Sequence, residues 1–226
     1  MRKVSLGAAC VALALLATGC GGSPQVPAAK LLVSAQAALN ATHGVHFVIT
    51  SQNSGGGDAV TGGEGDLIRP AGLVGTFDLR LSGLPLTLAV KAEGERFYVK
   101  VPFSSSYVET SPSKYGIGNP AQFLSRPDGL SKILGVATDA RVTGTTRLSG
   151  ELLDEVSASV PGADIPVLSD YAPAKPVAMV AEIDPTSRQL RRVTLTGPFV
   201  VASTEATYVV TLTDYGDSAS VNLPGS

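Results

Sequence analysis

Phe77-Asp78-Leu79-Arg80-Leu81-Ser82-Gly83-Leu84-Pro85-Leu86-Thr87-Leu88-Ala89-Val90-Lys91 is the stretch that decides the fold. Phe77, Leu79 and Leu81 alternate with Asp78, Arg80 and Ser82, and after the turn Leu86, Leu88 and Val90 alternate with Thr87, Ala89 and Lys91. Successive residues of a strand point to opposite faces, so each run has one apolar and one polar side. Ser82-Gly83-Leu84-Pro85 between them carries the residues that reverse a chain. The stretch reads as an antiparallel hairpin with one face in a core and the other in water.

The same period recurs on both sides of it. Val45, Phe47 and Ile49 alternate with His46, Val48 and Thr50, and Phe97, Val99 and Val101 follow the hairpin. Later runs are Val156, Ala158 and Val160, then Val177, Met179, Ala181 and Ile183, then Val193 and Leu195, and last Tyr208, Val210 and Leu212. Turn signals stand between runs at 55–58, 69–72, 93–95 and 184–187, which makes a meander of eight or so strands. The glycine-rich stretch Gly55–Gly65 reads as a hairpin loop.

Helical segments are expected in four places. Leu31, Leu32, Ala35, Leu39 and Thr42 recur on one side of a segment from Ala28 to His43, and Gly44 is expected to end it with a left-handed turn. Asn119 precedes Pro120 as an N-cap precedes the first helical position, where a missing N–H costs least. Asp128-Gly129 opens a run with Leu130, Ile133, Leu134 and Ala137 at helical spacing, and a further short helix is expected between Ala163 and Tyr171. So few helices cover only one face of the sheet, which gives an α+β fold: a curved antiparallel sheet with helices packed across one side.

At the N-terminus, cationic Arg2 and Lys3, an apolar run from Val4 to Ala17 and the sequence Leu16-Ala17-Thr18-Gly19-Cys20 have the three parts of an export signal ending at a lipobox cysteine. The run is shorter than the roughly 20 residues that span a bilayer. Cleavage before Cys20 by signal peptidase II would leave a diacylated cysteine as the membrane anchor. The expected organisation is a lipoprotein signal peptide at 1–19, an acylated N-terminus and flexible tether at 20–30, and a single domain at 31–226. Removing residues 1–19 leaves 15 cationic against 19 acidic side chains, a net charge of −4, which argues against nucleic acid as a partner. Cys10 leaves with the signal and Cys20 is consumed by the anchor, so the domain is expected to hold without a disulfide.

Covalent chemistry has no evident machinery. The two histidines, His43 and His46, sit at a helix-strand junction with no Gly-x-Ser-x-Gly elbow to serve, and Gly216-Asp217-Ser218 near the end of the chain reads as a turn. Asp58, Glu64 and Asp66 lack the spacing of a calcium loop, and no Gly-Lys-Ser/Thr is present for phosphate. No enzyme activity, metal or cofactor is expected.

The tether, the first helix and the long meander interrupted by Gly118-Asn119-Pro120-Ala121-Gln122-Phe123-Leu124-Ser125-Arg126-Pro127-Asp128-Gly129-Leu130 resemble the mycobacterial LppX/LprG family of cell-envelope lipoproteins. The Asn-Pro-Ala-Gln element at Asn119–Leu124, followed by Gly129–Leu134, is the most specific part of the resemblance. Pro173-Ala174-Lys175-Pro176-Val177 with Gln189-Leu190 is a second part. The resemblance implies a LolA/LppX-like half-barrel whose concave side and helices enclose an apolar cavity for acyl chains. It also implies a carrier of lipids or triacylated glycolipids across the periplasmic space from the outer face of the cell membrane, in some cases beside a membrane efflux transporter. The residues expected to line the cavity are Phe77, Leu79, Leu81, Leu86, Leu88, Val90, Phe97 and Val99. Periodicity alone fits a filled core as well as a cavity wall. A chain with no Trp and 5% aromatic residues suits a smooth wall. A structural lipoprotein without ligand is the alternative.

Overall fold

The computed structural model describes residues 26–52, 58–115, 118–165, 175–201 and 204–224. One helix, α1 (Ala28–Ala41), leads into the strands β1 (Gly44–Gln52), β2 (Ala59–Ile68), β3 (Gly72–Leu81), β4 (Leu84–Glu93), β5 (Arg96–Lys100) and β6 (Val108–Thr110). Two 3-10 helices, η1 (Pro112–Tyr115) and η2 (Pro120–Leu124), and a short α2 (Leu130–Val136) come next. The strands β7 (Thr138–Leu148), β8 (Glu151–Val160), β9 (Val177–Ile183), β10 (Leu190–Val201) and β11 (Thr204–Thr213) finish the sheet.

The eleven strands form one open sheet in the order β6-β5-β4-β3-β2-β1-β11-β10-β9-β8-β7, and every neighbouring pair is antiparallel. The chain starts in the middle, meanders to the β6 edge, crosses through residues 111–137 to the β7 edge, and meanders back to lie beside β1. That crossing carries η1, η2 and α2 over the same face as α1.

Registry explains why one face is the core. A single row of paired residues, Val142, Val156, Ala181, Val193, Val210, Ile49, Gly63, Phe77 and Leu88, crosses nine strands. The next inner row runs through Leu212, Phe47, Gly65, Gly75, Val90, Val99 and Val108. A shift of one residue in any strand would turn its apolar set to water, so the alternation read from sequence holds the whole sheet in register. The first helix packs Leu31, Leu32, Ala35 and Leu39 onto this face, all nearly inaccessible.

Four elements differ from the sequence expectation. Residues 59–65, expected within a loop, are the first part of β2, where Gly62, Gly63 and Gly65 face their partners with a register shift between Val60 and Gly62. A Cβ on Gly75 would lie 2.4 Å from the Glu64 carbonyl oxygen, and one on Gly63 2.7 Å from that of Thr76. Glycine in these strands lets the two backbones approach at a bend, so low β-propensity here serves sheet curvature. The first helix ends at Ala41 with Thr42 extended, and Gly44 is the first residue of β1. Gly44 is required by close approach, because a Cβ there would sit 2.6 Å from the Asp217 carbonyl oxygen. The strands β6 and β7 also escaped the alternation test; β7, Thr-Asp-Ala-Arg-Val-Thr-Gly-Thr-Thr-Arg-Leu, is an edge strand that buries almost nothing.

The other expected elements are present. Asn119 caps η2 by accepting from the Ala121 N–H at 3.1 Å, although this turn is 3-10 rather than α-helical. Gly129 precedes α2, with no room for a Cβ against the Phe123 carbonyl oxygen 2.2 Å away. Of the helix expected between 163 and 171, a 3-10 helix at Gly162–Asp164 is present and the part from 166 on lies outside the described residues. The 214–217 segment is a turn, closed by Asp217 N–H donating to Asp214 O at 3.1 Å. From it the tail crosses the outer face: Val221 fills the space over Gly72, and Lys91 Nζ donates to Asn222 O at 2.9 Å.

Candidate functional site

The inner face of β3, β4 and β5 gathers the eight residues expected to line a cavity. Phe77, Leu79, Leu88, Val90, Phe97 and Val99 are all within 3% of full burial, and Leu81 and Leu86 are half-buried against the same cluster. Pairing sets them side by side, Phe77 opposite Leu88, Leu79 opposite Leu86 and Val90 opposite Val99. Their alternates Asp78 and Thr87 are on the outer face, with Thr87 Oγ1 donating to Asp78 Oδ1 at 2.6 Å. Cys20 lies outside the described residues.

What covers this wall is short. The helix η2 places Ala121, Phe123 and Leu124 over β2, β3 and β4, and Tyr115 of η1 reaches Phe97 with ring centroids 6.4 Å apart. Phe47 links the wall to this cover, 5.8 Å from Phe77 and 6.5 Å, stacked, from Phe123. The chain has six phenylalanines, and five of them are in the buried cluster. Low aromatic content therefore does not make the interior smooth: the few rings are concentrated there. Tyr115, Phe47 and Phe123 are members of the site that sequence reasoning did not single out. Phe47 was visible as an inward residue of an alternating run, but its ring contacts join elements 76 residues apart in the chain.

Size argues that the helices do not roof the sheet. Eleven strands at a spacing of about 4.8 Å make a surface some 50 Å wide before curvature, and a ten-residue strand is about 33 Å long. The first helix, at 14 residues, is about 21 Å long and about 10 Å across. It lies over β7 to β10, where it is joined to α2 by Gln36 Nε2 donating to Ser131 O at 2.8 Å. The β3–β5 wall is left to single turns.

A concavity of about 570 Å³ lies between the 69–71 turn and the end of η2, lined by Arg69, Gln122, Ser125 and Arg126 among others. Its arginines close the end of α1. Arg69 donates from Nε to Thr42 O at 2.8 Å and from Nη2 to Leu39 O at 2.7 Å, and Arg126 reaches Asn40 O at 3.2 Å. Cations suit the last carbonyls of a helix. Burial, and next to it the like charge of Arg126, lower the Arg69 pKa from the ordinary guanidinium value. His46 Nδ1 is 2.7 Å from Asp66 Oδ1 across β1 and β2, a half-exposed pair on the outer face, while His43 is exposed. Among the described residues no three His, Cys, Asp or Glu side chains gather where a metal could be held, and no helix is long and apolar enough to cross a membrane.

A family model for the LppX_LprAFG lipoproteins matches residues 27–224. The fold is similar to the crystal structure of LprF from Mycobacterium bovis, with a TM-score of 0.70 and 17% identity over 89% of this chain and 100% of that one. It is also similar to the Mycobacterium tuberculosis lipoprotein LppX, with a TM-score of 0.60 and 14% identity over 86% of this chain and 97% of that one. No curated protein matches the chain by sequence.

Proposed function

The chain belongs to the LppX_LprAFG lipoprotein family, and from that premise we propose that it binds the acyl chains of a lipid or glycolipid against the inner wall of β3, β4 and β5 and carries them across the periplasmic space. The observation that carries the reading is the wall itself: six side chains within 3% of full burial and two more half-buried, all apolar, under a cover only one turn thick. Apolar area removed from water contributes roughly 25 cal/mol per Å² and asks no polar partner of the ligand. A hydrocarbon chain laid along Leu79, Leu88 and Val90 therefore gains from every methylene without needing a specific contact. The lining residues are Phe77, Leu79, Leu81, Leu86, Leu88, Val90, Phe97 and Val99, and no step of the function requires bond chemistry.

The domain is held at the outer face of the cell membrane by acyl groups on Cys20. Each buried methylene contributes about 0.8 kcal/mol, so two or three chains anchor stably. Replacement Cys20→Ala is expected to give a protein that is unacylated and leaves the membrane fraction; retention of an acylated Cys20→Ala protein would contradict the anchor. The cavity reading is tested by titrating the full chain with a diacylglycerol bearing a fluorescent acyl chain. Saturable binding that unlabelled diacylglycerol displaces is the expected result. A chain that leaves the probe in its vesicles is a structural lipoprotein.

A further inference from the structure

We propose that the end of the sheet formed by the β3–β4 turn and the β5–β6 loop is a membrane-docking edge that seats on an anionic lipid surface. The proposal rests on the lipid-binding reading of the inner wall, with which this edge is continuous. Among the described residues eight large apolar side chains are exposed, and four of them, Leu84, Val101, Phe103 and Val108, come from these two connections. Antiparallel pairing puts the connections at one end. Leu84 begins β4 opposite Leu81, and the 101–107 loop leaves β5 at Lys100 and returns to β6 at Val108, opposite Val99. At this same end the inner residues Leu81 and Leu86 are only half-buried, so apolar surface passes without a break from the interior to the rim.

Phe103 is the sharpest part of the edge. It is fully exposed, and its backbone lies in the left-handed region at φ 67°, which a bulky residue adopts at a cost. Folding alone gives no reason to hold a phenylalanine in water in that conformation. An apolar ring beside half-buried aliphatic groups is what a lipid headgroup boundary receives.

The charges nearby select the kind of surface. Lys91 of β4, which also donates to Asn222 O, and Lys100 at the end of β5 place their ammonium groups 5.1 Å and 5.6 Å from the Tyr107 ring centre. Of the acids on these strands and turns, Asp58 accepts from the Ser82 N–H at 2.6 Å, Asp78 from Thr87 Oγ1 at 2.6 Å and Glu109 from the Tyr98 hydroxyl at 3.0 Å. In a mature chain of net charge −4, two lysines framing a tyrosine beside an apolar tip complement anionic headgroups, whose surface potential attracts each cation brought close to it.

The chain contains no tryptophan, so Phe103→Trp supplies a single indole that reports on this edge alone. The full acylated chain carrying Phe103→Trp is placed in phosphatidylglycerol vesicles with bromine-labelled acyl chains, beside a Leu152→Trp control on the far side of the sheet. The expected result is a shift of the Phe103→Trp emission to shorter wavelength with loss of most of its intensity, while the control is unchanged. Phosphatidylcholine vesicles, or Lys100→Glu in the Phe103→Trp chain, are expected to restore most of the emission. Equal quenching of both variants, or none, overturns the proposal. Quenching indifferent to headgroup charge overturns the anionic preference. A shift that grows with protein concentration without quenching identifies a second copy of the chain on this edge and also overturns it. Lipid extracted from the same samples separates the two readings: bound lipid without quenching removes the docking edge alone, and quenching without bound lipid removes the cavity alone.

Discussion

The two wings of the sheet bury the same kind of face by different means. On the β8–β11 wing the inner residues Val177, Met179, Ala181, Val193, Leu195, Tyr208 and Val210 are all at or below 1% exposure, and the helix α1 lies over β8 to β10. The fit there is close, since a Cβ on Gly197 would stand 2.8 Å from Val177 Cγ2. On the β2–β5 wing the strands are bent at glycines, the cover is a five-residue 3-10 helix, and burial fades through Leu81 and Leu86 to the exposed Leu84 and Phe103. A long helix with small residues at Ala28 and Ala35 can fill a groove permanently. A single 3-10 turn closes the other wing over Phe77, Leu79 and Leu88, and on our proposal it is this short cover that a hydrocarbon guest displaces. The β8–β11 wing is the one packed by a long helix, and the β2–β5 wing is the one where we propose that lipid binds.

Adding bulk to each wing is the strongest way to break that comparison. Leu79→Trp or Val90→Trp is expected to cost about 1–3 kcal/mol, to fold, and to lose acyl-lipid binding, because volume reserved for a ligand accepts an indole. Leu195→Trp has no such room under α1 and is expected to fail to fold, as read by circular dichroism and yield of soluble domain. If Leu79→Trp also unfolds, both wings are filled cores; if it folds and keeps lipid, the chains bind elsewhere. Removing bulk from the packed wing comes next. Leu39→Ala, at 0% exposure, is expected to lower stability by about 2–5 kcal/mol in urea unfolding with lipid binding retained in the folded fraction.

The smallest effect is an alkaline one. Burial raises the Tyr208 pKa from 10 to about 12, and the ring packs edge-on to Phe199 at 5.3 Å. The unfolded tyrosine ionises near pH 10 and the folded one only toward pH 12, so its share of stability is complete below pH 10 and is lost as pH climbs through that window. The loss is about 2–3 kcal/mol. Tyr208→Phe is expected to flatten the fall in stability between pH 10 and 12 and to change little at about pH 7. An unchanged alkaline limb would mean that Tyr208 is not shielded in solution. Tyr215, also raised by burial and donating to Leu190 O at 2.6 Å, keeps some slope in the variant.

Strands that bury one face were legible because burial imposes a period of two, and each of the eight alternating runs falls on a strand of the sheet, with Val101 alone lying one residue past the end of β5. What escaped the sequence lacks that pressure. The edge strand β7 has no residue fully buried and is largely polar, β6 is three residues long, and β2 trades side chains for glycine where backbones crowd. The inward direction of the wall residues was legible for the same reason as the strands. The cover of that wall was not: Phe47, Tyr115 and Phe123 meet through chain separations that no local period encodes. The docking edge was invisible because exposed Phe103 and Leu84 read like any apolar residues of a loop until the register placed them at one end.

Native mass spectrometry of the full chain, released from the membrane in mild detergent, tests the central claim most directly. The account predicts a protein mass carrying additional lipid beyond the acyl groups on Cys20, present in the wild type and absent in Leu79→Trp. A wild-type chain that shows only its covalent acyl groups, after expression in a related host rich in long-chain lipids, would contradict it.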